Sequence, residues 1–186
     1  MKNLKYMAYI VSFPAIALFI HCNKETVIPP VAPPEPVHLT ELGKMEVLRD
    51  GKPVKTNAHL YFDGEKCEIS TALRIVGGTS LAEGITIEEI SFSEGKYDIF
   101  KYVYPDDGKP HARLFWSVID ELIGVLRSTD DFSEDYIEII KADTVNKTIE
   151  GRFQFHLKNV DGTDLSPYGM PDSLHFSEGV FYLKAE

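Results

Sequence analysis

A nucleophile raised between a strand and a helix reads Gly-x-Ser-x-Gly, and the nearest approach here is Gly78-Thr79-Ser80-Leu81-Ala82. It lacks the second glycine and the helix, so Ser80 reads as a loop serine. The histidines at 38, 59, 111, 156 and 175 stand singly, without the His-x-x-x-His or Cys-x-x-Cys spacing that places zinc ligands together. His59 and His156 fall on the polar phase of alternating segments and are expected to face solvent. Carboxylates are plentiful, but the acid pair of a glycosidase is defined by a separation in space. The run Asp130-Asp131-Phe132-Ser133-Glu134-Asp135 lacks the alternating carboxylates and the glycine of a calcium loop, so it reads as a solvated loop. No catalytic, cofactor-binding or metal-ligating residue is assigned from spacing alone.

The chemistry that is legible lies at Cys22. Lys2 and Lys5 precede an apolar run from Tyr6 to Ile20, interrupted by Pro14, and Cys22 follows. The run is shorter than the 18 or so residues of a spanning helix and has the build of a signal h-region. Phe19-Ile20-His21-Cys22 resembles a lipobox in which His21 replaces the usual small residue. Residues 1–21 are therefore expected to be a cleaved lipoprotein leader, with Cys22 acylated and the lipid as the membrane anchor. Cleavage would leave 165 residues and, without the two lysines, a formal charge of −12 rather than −10. Such acidity, with no Lys/Arg run, argues against nucleic acid and against binding to anionic lipid through charge. With Cys22 lipidated, Cys67 has no partner for a disulfide.

Residues 22–43 form the acylated terminus and a spacer. Pro29, Pro30, Pro33, Pro34 and Pro36 fall within eight residues, a composition that favours extended polyproline II and a semi-rigid tether. From 44 to 186 the pattern has period two. Ile149, Phe153, Phe155 and Leu157 point one way while Glu150, Arg152, Gln154, His156 and Lys158 point the other, the mark of a half-buried strand. Asp-Gly pairs at 50–51, 63–64, 107–108 and 161–162 supply turn chemistry. Strands are expected near 44–49, 54–62, 66–76, 85–92, 96–104, 111–118, 135–142, 147–158 and 173–183. Residues 117–127 fit a short helix as well as strands. Short, evenly spaced strands imply an all-β domain, an antiparallel β-sandwich or alternatively a closed β-barrel.

Phe92-Ser-Glu-Gly95 reappears as Phe176-Ser-Glu-Gly179, read as one turn or bulge chemistry reached twice. Trp116, flanked by apolar residues on both phases, is expected in the core, and Tyr168, in the loop from Gly162 to Pro171, at the surface. Asp143-Thr144-Val145 and Asp172-Ser173-Leu174 resemble the Asp-Ser/Thr-aliphatic pattern of O-glycosylation in Bacteroidota, which makes Thr144 and Ser173 the candidate acceptors.

The stretch Asp143-Thr-Val-Asn146-Lys-Thr-Ile149-Glu-Gly151-Arg-Phe153-Gln-Phe155, preceded by the strand from Tyr136 and followed by Gly179-Val-Phe181, resembles a family of uncharacterised Bacteroidota lipoproteins. The Gly95-Lys-Tyr97 step is similar too. The likeness covers the C-terminal half, and implies a β-sandwich-like domain in the cell envelope but no activity. The expected function is a non-catalytic envelope lipoprotein, anchored in the outer membrane with either face open, that recognises a protein or glycan partner. An envelope hydrolase assembled by long-range contacts and a purely structural component are the alternatives.

Overall fold

The computed structural model describes residues 39–76, 81–118 and 121–185. Residues 1–21, Cys22, the proline-rich part of the spacer and Ser80 lie outside the described residues. Ten strands follow in order: β1 (Lys44–Arg49), β2 (Lys52–Phe62), β3 (Lys66–Val76), β4 (Leu81–Ser91), β5 (Gly95–Asp98), β6 (His111–Val118), β7 (Glu121–Arg127), β8 (Tyr136–Asp143), β9 (Thr148–Lys158) and β10 (Ser173–Lys184). The segment with two readings is a strand, β7. The expected strand at 96–104 ends at Asp98, and the chain continues as a loop to Pro110.

All described strand pairs are antiparallel, and the domain is all-β. The sandwich expectation is corrected: one sheet closes on itself as an eight-strand barrel. Its order is β10-β1-β2-β3-β4-β6-β7-β9, and β10 pairs with both β1 and β9. β8 pairs along the outer edge of β9, with β5 beyond it. The ring shuts between β7 and β9 at a single residue pair, Arg127 with Lys158.

Closure depends on devices that bend strands rather than on alternation. The register slips between Phe176 and Gly179 in β10, where Glu178 has φ 54°, and between Ile87 and Ile90 in β4, where Glu89 has φ 62°. Such bulges raise local twist and curvature. The repeated Phe-Ser-Glu-Gly sequence thus builds a bulge at 176–179 and a turn between β4 and β5 at 92–95.

The buried face of the wall carries Met45, Leu60, Ile69, Ile87, Leu114, Leu126, Phe153, Phe155, Phe176 and Phe181, each 2 % exposed or less. An eight-strand barrel is just wide enough for side chains to fill, and four phenylalanines do much of that filling. Gly151 is the cross-strand partner of Phe181, and Gly179 that of Phe153. Each ring lies over the opposing glycine, so a Cβ at Gly179 would come within 2.5 Å of Phe153. Trp116 is buried as expected, beside Gly124 and Leu165. Cys67 is buried and free, and desolvation pushes its thiol up to about 12. Glu83 shares this interior phase and is held by Arg49, at 2.7 and 2.9 Å, because a buried charge must be paired.

Candidate functional site

The bulge in β4 builds a cluster on the outer wall. The β3–β4 register passes from Cys67–Ile90 to Ile69–Ile87, so Glu68 faces both Glu88 and Glu89. Two residues opposing one re-aims side chains, and three carboxylates gather there. Burial, together with the charge of Glu88, raises the Glu68 carboxyl above its ordinary range. Lys66 takes up Glu89 and also donates to the carbonyl of Gly108 at 2.9 Å.

The loop from Ile99 to Pro110 lies over this wall. Phe100 N–H donates to the Pro110 carbonyl at 2.8 Å, which cinches its ends, and Lys101 N–H donates to Asp130 at 3.0 Å. Ser128 ties the loop to the barrel. Its hydroxyl donates to the Phe100 carbonyl and accepts from Ala112 N–H, while its own carbonyl accepts from Tyr102 N–H. The Tyr102 ring packs edge-on to His111, with centroids 5.0 Å apart, and covers the guanidinium groups of Arg113 and Arg127. The other side of the loop faces out: Phe100 is 37 %, Val103 43 % and Tyr104 86 % exposed. Beside them a cavity of about 470 Å³ is lined by Asp98, Phe100, Lys101, Asp130, Phe132 and Asp135, among others.

Under the loop, His111 is 2 % exposed with both ring nitrogens against oxygen. Nδ1 lies 3.0 Å from the Lys109 carbonyl and Nε2 2.9 Å from Glu88 Oε2. The other Glu88 oxygen accepts from Arg113. Burial opposes ionisation of Glu88, but the hydrogen bonds from His111 and Arg113 outweigh it and hold the carboxyl at about 2. Desolvation likewise works against the His111 cation, yet Glu88 and the Lys109 carbonyl raise its pKa. Asp106 completes the group: one donor atom each from Glu88, Asp106 and His111 lie within 4.8 Å of one another.

A second histidine group sits on the outer face of β9 and β10. His156 and His175 stack with centroids 4.0 Å apart, and Phe132 covers the other face of His156, also at 4.0 Å. Asp135 accepts from His156 N–H at 2.9 Å and lies 2.7 Å from its Nδ1. Burial raises the Asp135 carboxyl despite these contacts. The expectation that His156 faces solvent is corrected: its phase is the outer one, but the 128–135 connection folds over it. His59 is exposed. Among the described residues, the hydrogen bonds of His111 and His156 run to carboxylates and a carbonyl, with no hydroxyl or thiol among them.

Tyr168 is 56 % exposed, at the end of a short 3-10 turn, as its loop setting implies. Thr144 and Ser173 are both exposed, Thr144 in a β8–β9 turn where Asp143 accepts from Val145 and Asn146 N–H. Glu68, Glu88, Asp106 and His111 were not singled out in the sequence. Their spacings of 5 to 43 positions match no ligand motif, and only the β3–β4–β6 pairing and the loop unite them. Among the described residues no helix is long and apolar enough to cross a membrane. No family model, curated protein or solved structure matches the chain.

Proposed function

We propose that this chain is a cell-envelope lipoprotein, acylated at Cys22, whose barrel presents the 99–110 loop as a recognition surface for a partner protein. The observation that carries the reading is the grouping of Phe100, Val103 and Tyr104, three exposed apolar side chains on five residues of a loop fastened to the barrel by Ser128 and Lys66. Exposed aromatics on a held backbone anchor partners at little cost in ordering. A glycan is the second reading, supported by the adjoining cavity, which sets the Phe100 ring beside Asp98, Asp130 and Lys101. Catalysis is not part of the proposal.

The test places a photo-crosslinking residue at Tyr104 in the full-length chain within cells. A discrete adduct from position 104, lost in a Phe100→Ala, Val103→Ala background, is the expected result. Absence of any discrete adduct, together with no retention on immobilised envelope glycans, would overturn the recognition reading. Anchoring is read separately: Cys22→Ser should abolish incorporation of labelled palmitate and release the chain from membranes.

A further inference from the structure

We propose that Glu88, Asp106 and His111 form a binding site for one divalent transition-metal cation of the zinc class, with the 99–110 loop closing over it. The inference is independent of whether the loop recognises a partner.

The geometry of His111 is the starting point. A carbonyl oxygen can only accept, so the contact with Lys109 places a proton on Nδ1. Nε2 faces Glu88 Oε2 at 2.9 Å, the position of a hydrogen bond from the protonated ring, and a cation that displaces this one proton takes both atoms as ligands. An imidazole whose Nδ1–H is fixed by a backbone carbonyl is the arrangement that orients metal-ligating histidines.

The spacing accommodates an ion. Tetrahedral zinc, about 2.0–2.1 Å from nitrogen or oxygen, separates neighbouring donors by about 3.3 Å. The three donor atoms here all lie within 4.8 Å of one another, with His111 Nε2 and Glu88 Oε2 2.9 Å apart, so a side-chain rotation of exposed Asp106 closes the remaining gap. Arg113 holds the far oxygen of Glu88, which keeps Oε2 turned toward His111 Nε2. Asp106 is already preset by accepting from Gly108 N–H at 2.8 Å through one oxygen.

Charge points the same way. With Lys66 taken by Glu89, the carboxylates of Glu68 and Glu88 face the guanidinium of Arg113, and Asp106 adds a third negative charge beside His111. A neutral His111 leaves two negative charges uncompensated on a partly buried wall, and a second ring proton removes one. A divalent cation removes both. One imidazole among oxygen ligands selects zinc, manganese or iron over calcium and magnesium, which prefer all-oxygen sets.

The experiment uses the full chain, purified in detergent and stripped with chelator, titrated with Zn²⁺ against a chromophoric chelator and separately with Co²⁺, Ca²⁺ and Mg²⁺. One Zn²⁺ per chain should bind, Co²⁺ should give visible d–d absorption with nitrogen ligation, and the thermal midpoint should rise on loading. Asp106→Asn, an exposed isosteric change that keeps the acceptor for Gly108 N–H, should weaken Zn²⁺ at least about tenfold without lowering the metal-free thermal midpoint, since it removes one of the crowded carboxylates. The proposal is overturned if no saturable one-to-one binding occurs, if Asp106→Asn binds as tightly as the parent, or if Ca²⁺ binds in preference to Zn²⁺.

Discussion

Ser128 shows how much one side chain can organise. It is fully buried, and its hydroxyl serves the β6 backbone through Ala112 and the loop through Phe100. Ser128→Ala would leave a buried N–H and a part-buried carbonyl short of their partner, at a cost of about 1–3 kcal/mol. The expected outcome is a lower urea midpoint at unchanged m-value, with faster hydrogen exchange at Tyr102 and Phe100. Equal exchange in the two proteins would show that Ser128 does not hold the loop. By contrast, Trp116 and Tyr168 behave as their surroundings in sequence imply, one buried and one exposed.

At the level of the strands, β9 and β10 meet through two glycine–phenylalanine pairs whose tolerances differ. The three atoms nearest a Cβ on Gly179 are ring atoms of Phe153, whereas the nearest to one on Gly151 is the Glu138 carbonyl, at 2.2 Å. Overpacking of a filled core costs about 1–3 kcal/mol. Gly179→Ala should lose that much and regain part of it when combined with Phe153→Leu, while Gly151→Ala should not be rescued by Phe181→Leu. Melting temperatures of the double-mutant cycles decide it, and equal rescue at both sites would refute the account. These pairs also mark what could be read from the sequence. Alternation located nearly every strand, and Asp50-Gly51 did make the β1–β2 turn, with φ 46° and 74°. Whether the sheet closed was not legible, because closure hangs on bulges at Glu89 and Glu178 and on which edges β10 joins. Residues 117–127 were ambiguous because Leu122, Ile123, Val125 and Leu126 are apolar on both phases; packing against β6 made them a strand. The His111 group was invisible for a related reason: a one-residue slip opposite Glu68 creates it, and slips leave no periodic trace.

For the molecule as a whole, the last strand is the keystone, since β10 spans from β1 to β9. A chain stopped after Asp172 would expose both of those edges and uncover the Phe153 and Phe155 rings. It should show no cooperative thermal transition by circular dichroism and should aggregate. A retained sharp transition would mean that the remaining strands fold without closure. The acidic balance of the chain, −10 overall, helps keep such open forms apart by mutual repulsion.

The lone Arg127–Lys158 pair where the wall shuts has a mechanical consequence. Every other junction of the ring is a ladder several residues long, so a pulling force or mild denaturant parts the cylinder along this meridian first, uncurling it while the longer ladders stay zipped. The lip so freed on β7 carries unpaired amides and carbonyls next to exposed Leu122, a template that another copy can extend. Resistance to peeling at that lip, more than the filling of the interior, then sets how long the protein lasts under stress.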